Sequence, residues 1–187
     1  MITIGVDEAG RGPLAGNVIA GAVILPKKFN LPQLTDSKKL TEKKRNTLYE
    51  LITTQCQWAI GEASVFEIDE INILQATMLA MKRAIENLNV SYDNVLVDGN
   101  RCPKVNNCTA IIKGDLIEPV ISAASIIAKV SRDKQMSDLD KKYPEYQFAK
   151  HKGYGTKLHL ELLKKHQPIK GVHRKSFAPI KRLLISS

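Results

Sequence analysis

The sequence predicts an α/β fold, a mixed sheet of about five strands flanked by helices, and three observations lead there. Two apolar runs near the start, residues 2–7 and 17–25, are separated by Gly10-Arg11-Gly12-Pro13 and Gly16, where the backbone can reverse. From Glu67 to Leu88 apolar residues recur at three and four positions, the period of a helix with one buried face. Beyond that helix, short apolar runs alternate with further helical segments, the order expected of a layered sheet of mixed direction.

Taken in order, the first two runs read as an antiparallel ribbon. Thr41 to Ile52 is a helix candidate, and Trp58 to Ser64 a third strand. Ser64-Val65-Phe66-Glu67 fits a capping box, so the long helix starts there and aligns Ile71, Leu74, Met78, Met81, Ile85 and Leu88. Val95-Leu96-Val97 and Ala110-Ile111-Ile112 lack polar alternation, which suits strands covered on both faces. Ser122 to Lys142 is a long helix stopped near Pro144. In Thr156 to His166, Leu158, Leu162 and Leu163 should dock while the basic residues face outward. A chain of 187 residues supports one sizeable core, so 1–149 should form the main body and 150–187 a C-terminal helical segment of the same unit.

The net charge of +9 is not spread evenly. Residues 1–149 carry 18 Lys and Arg against 18 Asp and Glu, and residues 150–187 carry 10 against 1. All four histidines, His151, His159, His166 and His173, share that basic segment and should add charge slightly below neutral pH. A neutral body with a basic end points to a polyanionic partner, because clustered cations gain affinity by displacing counterions from phosphates. No run approaches a membrane span and no secretory signal opens the chain, so a cytoplasmic, monomeric protein is expected. Cys56, Cys102 and Cys108 form no CxxC pair and read as buried or half-buried thiols rather than a disulfide framework or zinc site.

Asp7, Glu8, Asp98 and Asp115 share a context: each stands at the end of an apolar run, beside small or turn-forming residues. Carboxylates at the carboxyl edge of a sheet lie where open α/β folds build their sites. Gathered there, they would repel one another unless a cation neutralised them, and an all-oxygen set suits Mg²⁺ or Mn²⁺ better than zinc. Two such ions about 3.5–4 Å apart serve phosphodiester hydrolysis. Taken singly, each acid reads more readily as a solvated strand end or a turn cap, and only the four together point to a site. Asp7 and Glu8 pose a further problem, since neighbours on a strand point to opposite faces, so a break or bulge is expected there. Among the other acids, Asp36 reads as a loop cap, Asp69 and Glu70 as first-turn acids of a helix, and Asp133 as a helical ion-pair partner.

Asp7-Glu8-Ala9-Gly10-Arg11-Gly12, with Pro13-Leu14-Ala15-Gly16, resembles the opening motif of the type 2 ribonucleases H. The resemblance continues through Asp36-Ser37-Lys38-Lys39-Leu40, Asn72-Ile73-Leu74-Gln75-Ala76, Val97-Asp98-Gly99, Lys113-Gly114-Asp115, Ser122 to Val130 and His151-Lys152-Gly153-Tyr154-Gly155-Thr156. It implies a ribonuclease H-like fold with a small C-terminal helical part closing over substrate. It implies that Asp7, Glu8, Asp98 and Asp115 are catalytic metal ligands for Mg²⁺ or Mn²⁺. It also implies that Gly10, Arg11 and Gly12 meet the ribonucleotide, with glycine permitting close backbone approach to the 2′-hydroxyl, and that Tyr154 stacks on the sugar. Lys38 and Lys39 are placed to touch phosphate. The implied substrates are RNA:DNA hybrids and DNA duplexes holding single ribonucleotides, cut to leave 3′-hydroxyl and 5′-phosphate ends. The sibling type 3 enzymes would need a substrate-binding domain before the first acidic pair, for which residues 1–6 leave no room. A noncatalytic nucleic-acid-binding module remains the alternative, and all four acids argue against it. A sliding-clamp contact is compatible with such a family, but no recognition segment is legible in Arg182-Leu183-Leu184-Ile185-Ser186-Ser187.

Overall fold

A computed structural model describes residues 1–29 and 39–186. Five strands form one sheet in the order β3-β2-β1-β4-β5. They are β1 (Thr3–Ala9), β2 (Val18–Ile24), β3 (Gln57–Ala63), β4 (Asn94–Asp98) and β5 (Cys108–Ile111). β1, β2 and β3 pair antiparallel as a meander, while β4 joins β1, and β5 joins β4, in parallel. The expected mixed sheet is therefore present, and β1 lies at its centre with its carboxyl end beside that of β4.

Helices cover both faces. Helix α1 (Glu42–Gln55) precedes β3, α2 (Val65–Ile71) and α3 (Ile73–Asn87) follow it, and α4 (Gly114–Ile117) and α5 (Pro119–Lys142) follow β5. The C-terminal part holds a 3-10 turn at Pro144–Tyr146, then α6 (Phe148–His151), α7 (Lys157–His166) and α8 (Ala178–Ser186). Ala76, Ala80, Met81, Ala84 and Ile85 of α3 join Ile4, Val6, Val18, Ala20, Val95 and Val97 in one core. On the other face Val23 packs with Leu48 and Ile52 of α1 and Ala123, Ala124, Ile126 and Ile127 of α5. A third cluster unites Leu14 and Ala15 with Met136, Tyr146, Phe148, Leu163, Val172 and Ile180, so the C-terminal segment shares its core with the loop after β1. Among the described residues no helix is long and apolar enough to cross a membrane.

The α5 backbone lies almost on the sheet, which is why β1 carries Gly5: a side chain there would run into the Val120 carbonyl. Gly5→Ala should lower unfolding stability by roughly 1–3 kcal/mol through overpacking. Urea denaturation will check this, and an unchanged midpoint would show that the helix can simply move away.

Two local expectations fail. The helix expected from Glu67 to Leu88 is two helices, broken at Asn72, whose φ of 73° no continuous helix accommodates. Apolar periodicity survives the break because both pieces pack on one sheet face. Asn72 also restarts the ladder, its side chain accepting from Gln75 N–H at 3.0 Å. The capping box is present, with Ser64 and Glu67 exchanging hydrogen bonds. The second failure concerns cysteine: Cys102 and Cys108 form a disulfide, because the turn after β4 brings Cys102 back beside the start of β5. Cys56 remains a half-buried thiol whose pKa burial pushes up to about 11.

Candidate active site

A cavity of about 620 Å³ opens at the carboxyl ends of β1 and β4. Asp7, Glu8, Asp98 and Asp115 all line it. β1 delivers the first two, and Asp98 is the last residue of β4, whose register runs Val6 to Val97. Asp115 sits in α4, entered through the left-handed Lys113, and its N–H donates to Asp98 Oδ1 at 3.3 Å. The sheet thus converts acids more than 100 positions apart in sequence into neighbours.

The expected break between Asp7 and Glu8 is not there. β1 continues in register through Ala9, with Asp7 opposite Gly21 and Glu8 opposite Ala20. The two carboxylates share the cavity because β4 ends one residue past Val97, leaving that side of β1 open for the longer Glu8 side chain. Burial, followed by the charges of Glu8 and Asp98, holds the Asp7 carboxyl well above the usual range. Burial raises Glu8 as well, although hydrogen bonding with Asp7 and the Arg11 guanidinium offset part of that. Oε2 of Glu8 is buried with no hydrogen-bond partner.

A cation answers each of these features. It would neutralise acids that oppose one another, and it would satisfy the orphaned Glu8 oxygen. The donors are all oxygen, as Mg²⁺ or Mn²⁺ prefers. As placed, the described residues include no group of three or more His, Cys, Asp or Glu arranged as a complete ligand set. The four acids are near neighbours around one cavity rather than a closed cage, and a hard ion that keeps several waters requires no more.

Two turns meet beside the cavity, where Leu14 N–H donates to Gly153 O at 2.8 Å. Gly10 and Arg11-Gly12 follow β1, and Gly153-Tyr154-Gly155 follows α6. Tyr154 leaves its ring about half exposed, and a methyl group at Gly12 would stand 3.6 Å from its Cε1. Gly10 has φ 92°, a conformation that favours glycine, and lies against the Arg132 side chain.

The ribonuclease HII family model matches residues 4–180. The chain belongs to the ribonuclease HII family. It is 59% identical over 187 residues to ribonuclease HII of Hydrogenovibrio crunogenus, covering 97% of this chain and 87% of that one. It is 54% identical to ribonuclease HII of Neisseria meningitidis serogroup B, covering 98% and 96% respectively. Its fold matches the crystal structure of ribonuclease H2 from Pyrococcus horikoshii with a TM-score of 0.81 at 26% identity, over 100% of this chain and 98% of the other. Ribonuclease HII membership makes the chain a metal-dependent endoribonuclease, and the ribonuclease H-like architecture expected from the motifs is the one observed.

In this ribonuclease HII the cavity also has a cationic wall. Arg45, Lys129, Arg132 and Lys152 line it, and none was singled out by the sequence reading. Arg45, Lys129 and Arg132 sit on helices among ordinary polar residues, and Lys152 in the left-handed turn that closes α6; only packing shows which way they face. Asp133 does act as an ion-pair partner, receiving Lys129 at 2.7 Å and Arg45 at 3.6 Å. Asp69 is not a first-turn acid, since α2 begins at Val65; it accepts from the N–H groups of Lys175 and Ser176 and from the Ser176 hydroxyl. Lys39 is exposed and does not line the cavity, while Lys38 and Asp36 lie outside the described residues.

The basic segment also holds a surprise. His151, His159 and His173 are buried, with the His151 and His159 rings stacked 3.8 Å apart, so they add no surface charge near neutrality. Burial, followed by the neighbouring imidazoles, pulls His159 down to about 4 and His173 to about 3. Burial lowers His151 too, despite its hydrogen bond to the Tyr146 carbonyl and the facing Asp140. A base with a depressed folded pKa costs stability as pH falls: the unfolded chain takes up protons near 6.5, and the folded chain does not until about 4 or below. The melting temperature should therefore drop through that window. His159→Phe should flatten the decline, and an equally steep profile would exonerate the histidines.

Proposed function

We propose that this cavity hydrolyses the phosphodiester on the 5′ side of a ribonucleotide, both in RNA:DNA hybrids and at single ribonucleotides embedded in duplex DNA. The observation that carries the reading is the pairing of the acid cluster with the Gly10–Gly12 turn and with Tyr154 around one cavity. Asp7, Glu8, Asp98 and Asp115 would hold Mg²⁺ or Mn²⁺. Bound as a pair, such ions activate water and stabilise the leaving oxygen of a phosphodiester.

The remaining work belongs to the chain. Backbone groups of Gly10 and Gly12 approach the sugar closely enough to read its 2′-hydroxyl, and the exposed Tyr154 ring stacks on the sugar. Arg11, Lys129 and Lys152 bind flanking phosphates. Water adds to phosphorus as the bond to the preceding 3′-oxygen breaks; that oxygen takes a proton, leaving a 3′-hydroxyl and a 5′-phosphate on the ribonucleotide. The basic residues of 150–187 that remain exposed, among them Lys157, Lys164 and Lys165 on α7, grip duplex backbone beyond the site. The chain would do this as a monomer in the cytoplasm.

A labelled duplex with one ribonucleotide, compared with a hybrid and an all-DNA duplex in Mg²⁺ and in Mn²⁺, tests the reading. Wild type should cut 5′ to the ribonucleotide and spare all-DNA, and Tyr154→Phe should cut about tenfold or more slowly if the lost hydroxyl had read the sugar. Binding without cutting in either metal would leave only a nucleic-acid-binding module.

A further inference from the structure

The Gly10–Gly12 and Gly153–Gly155 turns come from opposite ends of the chain, and one dipeptide, His173-Arg174, reaches both. Arg174 is completely buried, yet no carboxylate among the described residues is hydrogen-bonded to it. Its Nε donates to Gly16 O at 2.9 Å, Nη1 to Arg11 O at 3.0 Å and Pro13 O at 2.8 Å, and Nη2 to Gly10 O at 2.6 Å. The loop has no ladder of its own, so its inward carbonyls need donors. A guanidinium, with five donors in a fixed fork, can serve four acceptors at once. The backbone reinforces the grip: Gly16 N–H donates to Val172 O, and Arg174 N–H to Leu14 O, each at 2.8 Å.

His173 works in the other direction. Ile169 N–H donates to its Nδ1 at 2.9 Å, so a neutral ring carries its proton on Nε2. That proton faces His159 Nε2 at 3.0 Å, which must then accept. The His159 proton therefore lies on Nδ1 and is donated to Tyr154 O at 2.8 Å. His151 completes the cradle by accepting from Gly153 N–H at 3.0 Å. Every ring nitrogen of this buried set has a partner, and each bond fixes the direction of the next.

We propose that His173 and Arg174 are positioning residues for sugar recognition, Arg174 fixing the Gly10–Gly12 turn and His173, through His159, fixing the main chain of Tyr154. Neither side chain lines the cavity. The proposal rests on the reading that those two turns contact the ribonucleotide, and it makes the C-terminal segment a brace for the specificity elements as well as a basic surface.

The test is a double-mutant cycle on the single-ribonucleotide duplex, combining His173→Leu with Tyr154→Ala and measuring kcat and KM, with His173→Gln and Arg174→Lys as conservative companions. His173→Leu should lower kcat/KM about 10–100-fold, the scale of losing a group that orients a contacting residue. In the Tyr154→Ala background it should cost little, because the group it orients is gone. His173→Gln, whose amide can both accept and donate, should recover most of the loss. Arg174→Lys, a point charge that cannot span four carbonyls, should lower kcat/KM while amide exchange rises at residues 10–16 and the sheet stays protected. Losses that multiply in the double variant, or a folded His173→Leu that cuts like wild type, overturn the proposal and leave the sugar-contact reading standing. If Tyr154→Ala itself cuts like wild type, that reading falls and the proposal falls with it.

Discussion

Asp7→Asn should nearly abolish cleavage and, at the same time, raise the melting temperature of the metal-free protein. Asp7 is buried, and both Glu8 and Asp98 oppose its negative charge. An amide of the same shape removes that opposition. It also removes a charge that the proposed metal site would use, so activity should fall about a thousandfold or more, about 4 kcal/mol of barrier. A stability gain of roughly 0.5–2 kcal/mol is typical when an active-site group held against its preference is neutralised. The sign with pH follows from the raised folded pKa: the wild-type carboxyl stabilises the fold when protonated at low pH and loses that contribution as pH rises through its folded pKa. The advantage of Asn should thus be largest at neutral pH and vanish in acid. Added Mg²⁺ or Mn²⁺ should stabilise wild type by about 2.7 kcal/mol at a hundredfold excess over Kd, and the variant by clearly less. A variant that melts below wild type at neutral pH without metal would refute the electrostatic account.

Arg174→Met is the second large effect, and here stability rather than chemistry is at stake. Methionine fills much of the volume but offers no donor, so the carbonyls of Gly10, Arg11, Pro13 and Gly16 lose this partner together. Each orphaned group costs about 1–3 kcal/mol, partly relieved by water, giving a net loss of roughly 3–5 kcal/mol. Burial lowers the Arg174 pKa to about 9, which still leaves it charged at neutral pH. The urea midpoint should fall sharply, and residues 10–16 should become protease-sensitive first. An unchanged midpoint would mean that the loop satisfies itself without the guanidinium.

Much of the fold was legible because its signals are periodic and local. All five strands fall close to the runs expected from apolar patterning, and the Ser64–Glu67 capping box marks a helix start that the structure reproduces. The break at Asn72 escaped detection because apolar spacing records which face is buried, not whether the hydrogen-bond ladder is continuous. The Cys102–Cys108 disulfide escaped because pairing depends on how the turn between β4 and β5 folds back. In the site, strand-end context together with the motifs picked out four acids that do line one cavity. The supposed conflict between Asp7 and Glu8 came from treating β1 as a uniform strand, without the early end of its neighbour β4.

The basic segment shows the limit most clearly. Counting charge made residues 150–187 a surface for a polyanion, yet Arg174 and three of the four histidines lie inside. Composition cannot separate a cation that meets solvent from one that holds carbonyls, because both are the same letter without apolar spacing. By itself the sequence determined the mixed sheet, the acids at its strand ends and membership of a nuclease family, since each is written in neighbouring residues. Only the tertiary structure decided what holds the Gly10–Gly12 and Gly153–Gly155 turns in place. The partner of Arg174 Nη2 is a carbonyl 164 residues earlier, and a buried polar group is matched to its acceptor by the folded backbone rather than by any local pattern.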